Sequence, residues 1–157
     1  MTLEIFAPQD RTRMNEAIAL RIAVFVYEQL VPEEEEVDAH DATDADTLHL
    51  LARDRDGSVA ATGRFYDAGE RVAQIGRMAV RRDARAAGLG RVILERLIDE
   101  ARTRGFERAV LHAQGHAVGF YAKSGFRPFG ATLLDGGIVH QPMERSLGAL
   151  PSRAVDA

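Results

Sequence analysis

The 157-residue chain contains no cysteine. That excludes a disulfide, a thiol nucleophile and a thiolate metal site, so any chemistry must use other groups. Long apolar runs are missing as well. The most apolar N-terminal stretch, Ala17 to Val31, carries Arg21 and Glu28 and fits neither a signal-peptide core nor a membrane span. A cytoplasmic location is therefore expected. No linker or internal repeat breaks the chain, and 46% hydrophobic with 28% charged residues fits one globular domain with a sizeable core. Between Ile22 and Ala52 there is no Lys or Arg, whereas Glu28, Glu33 to Glu36, Asp38, Asp41, Asp44 and Asp46 are acidic. The next third reverses the sign with Arg77, Arg81, Arg82, Arg85, Arg91, Arg96, Arg102, Arg104 and Arg108. If the two regions flank one cleft, its basic end holds an anion and its acidic lip attracts a cation. Otherwise they are two solvated faces. The acidic third and the lack of an aromatic-rich basic surface argue against nucleic acid as a partner.

Leu3 to Phe6 reads as a short strand ended by Pro8. A helix capped by Asp10 or Asn15 follows, with Ile18, Ile22, Phe25 and Val26 at helical spacing through to Gln29. Glu33 to Asp46 has few apolar residues and is expected to be a mobile surface loop. Thr47 to Arg53, Val59 to Tyr66 and the strand ending at Val80 form an antiparallel meander, turning at Asp56-Gly57 and Asp67 to Glu70. Leu89, Val92, Ile93, Leu97 and Ala101 repeat as a long helix closed by Gly105, and Ala109 to Ala113 reads as a buried strand. A strand, a long helix and a strand in succession imply a parallel pair joined by a right-handed crossover. Next come a short helix holding Phe120 and Tyr121, then a hairpin of Arg127 to Leu134 and Ile138 to Arg145. Pro142 in that hairpin implies an edge or a bulge. Leu147 to Ala157 reads as a frayed tail beyond a domain of residues 1–146.

Gly88 and Gly90 stand where the strand containing Ile75, Met78 and Val80 gives way to the long helix. A helix start without side chains over its first amides is an anion site, and Arg85 adds a full charge beside it. The ligand this implies carries phosphate.

Arg85-Ala86-Ala87-Gly88-Leu89-Gly90 matches the (Q/R)-x-x-G-x-(G/A) signature of the GCN5-related N-acetyltransferases, and it stands between a strand and a helix as in that family. The order of elements matches as well. RIAVFVYEQ at Arg21 to Gln29, EVDAHD at Glu36 to Asp41, IGRMAV, HAQ at His112 to Gln114, FYAKSGF at Phe120 to Phe126 and GGIVHQPM at Gly136 to Met143 resemble the ElaA-like branch. The resemblance implies a single-domain α/β acyl-CoA N-acyltransferase fold, with a mixed, mostly antiparallel sheet of about seven strands flanked by about four helices. It implies acetyl transfer from acetyl-CoA to an amine acceptor, with a cationic acceptor in keeping with the acidic lip. The pyrophosphate is then expected on Arg85, Ala86, Ala87, Gly88, Leu89, Gly90 and Arg91, and the pantetheine arm along the backbone of Met78, Ala79 and Val80, with Gln114 or His116 against the cofactor. The family often has Asn in that last area, so the contact from Gln114 departs from its pattern.

Thioester aminolysis needs a neutral amine, a stabilised oxyanion and a proton for the departing thiolate. Tyr121, on the short helix past the crossover strand, resembles the family's general acid; packing beside Phe120 is the plainer role for it. The amide of Met78 or Ala79 is expected to face the oxyanion. Glu28, Glu36, Asp38 and His140 are candidates to line the acceptor cleft, and none is assigned as base. His112 reads as a core histidine. His40, Asp41, Asp44 and His49 sit on no recognised metal spacing, so no metal is expected. Arg21 to Gln29 followed by E-x-D-x-x-D also resembles the N-terminal half of an acyl-homoserine-lactone synthase, which is an alternative; the acetyl-CoA type of turn at Arg85 to Gly90 and the short chain discriminate against it. A non-catalytic CoA-binding module is the other alternative. Ile93 at the third glycine position argues against a dinucleotide fold, and there is no Gly-Lys-Ser/Thr for a Walker site. Nothing sets the oligomeric state, and a homodimer stays open.

Overall fold

The computed structural model describes residues 1–148. β1 (Thr2–Phe6) leads to α1 (Arg11–Arg21), capped by Asp10, whose Oδ1 accepts the Arg13 N–H at 3.1 Å. The expected helix does not run evenly to Gln29. From Ile22 to Glu28 the turns widen to a π-helix, with the Gln29 N–H bonded to Val24 O at 3.2 Å and the Val31 N–H to Phe25 O at 2.8 Å. α2 (Glu33–Glu36) and a 3₁₀ turn (Ala39–Asp41) follow. β2 (Thr47–Arg53), β3 (Val59–Asp67) and β4 (Val72–Val80) form the meander, and a 3₁₀ turn (Arg82–Ala87) leads to α3 (Leu89–Thr103) and β5 (Arg108–Gln114). Beyond a 3₁₀ turn at Gly115–Ala117 lie α4 (Val118–Ala122), β6 (Arg127–Pro128), β7 (Leu133–Asp135) and β8 (Ile138–Ser146).

The eight strands form one sheet in the order β1-β2-β3-β4-β5-β8-β6, with β7 also on β8. Only β4 and β5 run parallel, as the crossover through α3 requires. Ile93, Leu94, Leu97 and Ile98 of α3 pack on one face against Leu50, Ile75 and Leu111. Met14 and Ala17 of α1 cover the other, against Phe6 and Leu51. Leu50 and Leu51 are adjacent and point to opposite layers, so β2 is apolar on both faces and shows no alternation.

Three expectations change. Arg127 to Leu134 is not one strand but the short β6 and β7, and β8 lies inside the sheet between β5 and these two. Pro142 is therefore not at an edge. Its carbonyl accepts the Phe129 N–H at 3.0 Å, so its missing donor faces the gap between β6 and β7 and no ladder bond to β5 is lost. The domain reaches past residue 146: Leu147 is buried, its N–H bonds Glu107 O at 2.9 Å and its carbonyl accepts from Arg102 Nε at 2.9 Å. The remainder of the expected tail, from 149 on, lies outside the described residues.

The third concerns Glu33 to Asp46, which is anchored where a mobile loop was expected. Arg21 and Asp41, each 1% exposed, form a bidentate pair at 2.7 and 2.9 Å. Arg64 of β3 grips Asp38 at 2.6 and 2.8 Å and reaches Asp41 at 3.0 Å. Arg77 of β4 adds Glu36 at 3.1 Å and Asp38 at 3.3 Å. Three guanidiniums thus neutralise three carboxylates, and ion pairs hold a segment that has too few apolar side chains to hold itself. Of the basic third only Arg77 takes part here; Arg21 and Arg64 come from outside it.

Candidate active site

β4 and β5 pair only over Val72–Gln74 and Arg108–Val110, after which β5 stays with β8 and the two strands separate. On the other side of β4, Arg64 stands opposite Gly76 and Thr62 opposite Ala79, so β4 carries one extra residue at a bulge where Arg77 takes φ +51°. The bulge exchanges the two faces of the strand. Ala73 and Ile75 pack on the α3 core before it; Met78 and Val80 do so after it, while Ala79 turns to Leu20 and Val24 on the α1 side. Gly63 lies across from the bulge because nothing larger fits: a Cβ there would stand 2.7 Å from Met78 Sδ and 2.9 Å from Ile93 Cγ2.

The parting strands open a cleft of about 480 Å³. Met78, Gln114 and Tyr121, all expected at the site, share its wall. Tyr121 is half-buried, edge-on to Phe120 and Phe126 at 5.1 and 6.2 Å, and among the described residues its hydroxyl has no hydrogen-bond partner. Burial pushes the phenol up to about 12, so it stays protonated at neutral pH. Gln114 Nε2 donates to Gln29 Oε1 at 2.6 Å, spanning from β5 to the π-helical segment. Glu36, Asp38 and His140 also line the cleft, whereas Glu28 does not. His112 is no core residue: it is exposed and faces the cleft. Tyr66, Arg64 and Arg77 line it too and were missed, since neither a strand pattern nor a basic third says which residues a bulge aims at one space. Gln29 stood in the recognised RIAVFVYEQ stretch without a role.

The glycine turn forms the outer end. Gly88 takes φ +76° between the 3₁₀ turn and α3, a conformation costly for any other residue. Gly90 is half-buried, and a Cβ on it would touch Phe120 and Val80 at 3.4 Å. Arg85, Ala86 and Ala87 are exposed, Leu89 anchors the turn in the core, and Arg91 is exposed and pairs with Glu95 at 3.7 Å. Arg85 lies back along the strand: its Nε donates to Val80 O at 3.0 Å and its Nη2 bonds Glu28 Oε2 at 2.8 Å. Arg82 reaches the same carboxylate at 3.4 Å. The His40, Asp41 and His49 group is committed elsewhere, Asp41 to two arginines and the His40 ring to a 3.5 Å stack on Tyr66.

Residues 10–147 match the family model described as an acetyltransferase (GNAT) domain. The UPF0039 protein Rv2851c of Mycobacterium tuberculosis is 36% identical over 139 residues, 87% of this chain and 86% of its own. An acyl-CoA N-acyltransferase from Pseudomonas aeruginosa superposes with a TM-score of 0.81 at 31% identity, over 92% of this chain and 99% of the other. Escherichia coli ElaA does so with 0.80 at 26%, over 92% and 98%. The splayed β4–β5 cleft and the glycine turn are thus set in a fold shared along almost the whole chain, and the protein belongs to the GNAT family of acyl-CoA N-acyltransferases, with ElaA as a relative.

Proposed function

We propose that the protein transfers acetyl from acetyl-CoA to a primary amine, by direct attack in a ternary complex, with Tyr121 as the acid. The observation that carries this reading is the desolvated Tyr121 phenol, without a hydrogen-bond partner among the described residues, in the cleft where β4 and β5 part. A phenol held protonated there can give its proton to a departing thiolate. The residues suit the co-substrate. The first N–H groups of α3 have no carbonyl to bind within the helix, and beside them Arg82 and Arg85 can accept a pyrophosphate. Arg85 must exchange Glu28 for phosphate, a small cost because exposed ion pairs contribute about 0–1 kcal/mol. The pantetheine arm would lie along β4 from Met78 to Val80, where β5 no longer pairs. The thioester supplies the acyl group, and the Met78 or Ala79 amide would face its oxygen.

Four carboxylates (Glu35, Glu36, Asp38, Asp135) and two guanidiniums (Arg64, Arg77) line the cleft, an acidic balance that favours a cationic acceptor. A cytoplasmic location goes with this reading. No helix among the described residues is long and apolar enough to cross a membrane, and none of their acidic and histidine groups is arranged to hold a metal.

The test is thiol release from acetyl-CoA over a panel of amines, peptides and aminoglycosides, together with calorimetric binding. Tyr121→Phe should bind acetyl-CoA as the parent does and lose about 10²-fold or more in kcat. Parental turnover would remove Tyr121 as the acid, and a parent that binds acetyl-CoA but acylates nothing would favour a CoA-binding module. Arg85→Ala should weaken acetyl-CoA binding about tenfold through the lost charge-assisted bond. Unchanged affinity would take Arg85 out of the site.

A further inference from the structure

We infer that His140 is the general base, its Nε2 taking the proton from the acceptor ammonium; this rests on the acetyl-transfer reading above. His140 lies on β8 opposite Gln114, on the sheet face where Gln114 meets Gln29, and it lines the same cleft as Tyr121. Its Nδ1 is 2.7 Å from the carbonyl oxygen of Ile138, its own neighbour two residues back. A carbonyl oxygen only accepts, so Nδ1 carries the hydrogen, and in the neutral ring the lone pair is on Nε2. His140 is 9% exposed and its ring is held in place by this bond, so the acceptor nitrogen is preorganised.

The other candidates in the cleft are less suited. Both oxygens of Asp38 are taken by Arg64, Arg77 and the His40 N–H, and Glu36 is 2% exposed beside Arg21 and Arg77. Glu35 and Asp135 are exposed, as are His112 and His116, and among the described residues no hydrogen bond to either ring orients it. These solvated groups fix no nitrogen or oxygen in place. The charged side chains that share the cleft with His140 are Glu35, Glu36, Asp38, Asp135, Arg64 and Arg77.

The step balances as follows. His140 Nε2 takes one proton from R–NH₃⁺ and becomes imidazolium. The freed lone pair forms the N–C bond to the thioester carbonyl, and the C–S bond then breaks as Tyr121 gives its phenolic proton to the sulfur. The amide nitrogen's surplus proton returns to the tyrosinate, and the imidazolium releases its proton to water.

His140→Asn keeps a donor for the Ile138 carbonyl and removes the Nε2 lone pair. With amines from the panel that are ammonium at neutral pH, kcat/KM should fall about 10²-fold at pH 7 with acetyl-CoA affinity unchanged, and the deficit should shrink as pH rises and the amine deprotonates in solution. Independently of any acceptor, ¹⁵N shifts of the ring should show Nδ1 protonated and Nε2 bare in the neutral form. A protonated Nε2 in that form overturns the assignment. So does a variant with parental turnover, or one whose loss is equal at every pH, which would mark a structural role. A parent that turns over no amine overturns the acetyl-transfer reading instead, and the assignment with it.

Discussion

Replacing Asp41 by Ala tests whether the buried ion network holds the acidic segment over the cleft. The substitution removes the carboxylate that accepts from Arg21 at 2.7 and 2.9 Å and from Arg64 at 3.0 Å, with all three side chains at most 4% exposed. Arg64 keeps its bidentate grip on Asp38, but Arg21 retains only the Glu36 carbonyl at 2.8 Å and the Glu36 carboxylate at 3.6 Å. Breaking a buried pair in this way costs about 3–5 kcal/mol, because the stranded guanidinium stays desolvated. A domain of this size loses about 2–4 °C of Tm per kcal/mol, so a fall of roughly 10 °C is expected. Urea and thermal unfolding followed by circular dichroism at pH 7 measure it. The companion variant, Arg21→Met with Asp41→Leu, removes both desolvated charges and should recover at least half of the loss. A single variant that loses less than about 1 kcal/mol, or a double variant no better than the single, would show that the network does not work in this way.

Gly63→Ala pushes a methyl against Met78, Ile93 and Leu97, the last two fully buried; a loss of about 1–3 kcal/mol is expected in the urea midpoint, and an unchanged midpoint would mean the bulge region repacks freely. His49, buried beside Arg21 and Arg64, is pushed down by that burial to about 4, against about 6.5 in the unfolded chain. The unfolded state therefore binds more protons between these values. Stability should be full above pH 6.5 and fall by about 1.4 kcal/mol per pH unit as pH drops toward 4, roughly 3 kcal/mol in all. His49→Gln should flatten that slope above about pH 5, leaving the smaller part from His40 and His112, which burial also lowers; closer to pH 4, carboxylates held low by their arginines, such as Glu4 and Glu16, add a loss common to parent and variant. Equal slopes in parent and variant would refute the assignment.

The glycine-turn side of the proposed site was legible because its signals are local. An apolar strand, a glycine turn and a 3.6-residue repeat lie within residues 74–105, and the crossover they imply forces β4 and β5 parallel whatever the rest of the chain does. Asp10 as one of two candidate caps and Tyr121 on a short helix were read from neighbouring residues in the same way, and the structure takes Asp10. The acidic side of the cleft was not, because its determinants are partners far apart in the chain. Arg21 meets Asp41 twenty residues on, and Arg77 meets Glu36 forty-one residues back. Low apolar content made Glu33 to Asp46 look mobile, since composition does not show that three arginines from two strands and a helix converge on it. Alternation along β4 would have put Ala79 with Ile75 on the α3 side. The extra residue at Arg77 reverses that, and a bulge leaves no mark in a hydrophobic pattern. By itself the sequence determined the crossover, the glycine turn before α3 and the family resemblance, each set by residues adjacent in the chain. Only the tertiary structure decided which side chains line the cleft between β4 and β5, because that depends on strand register and burial.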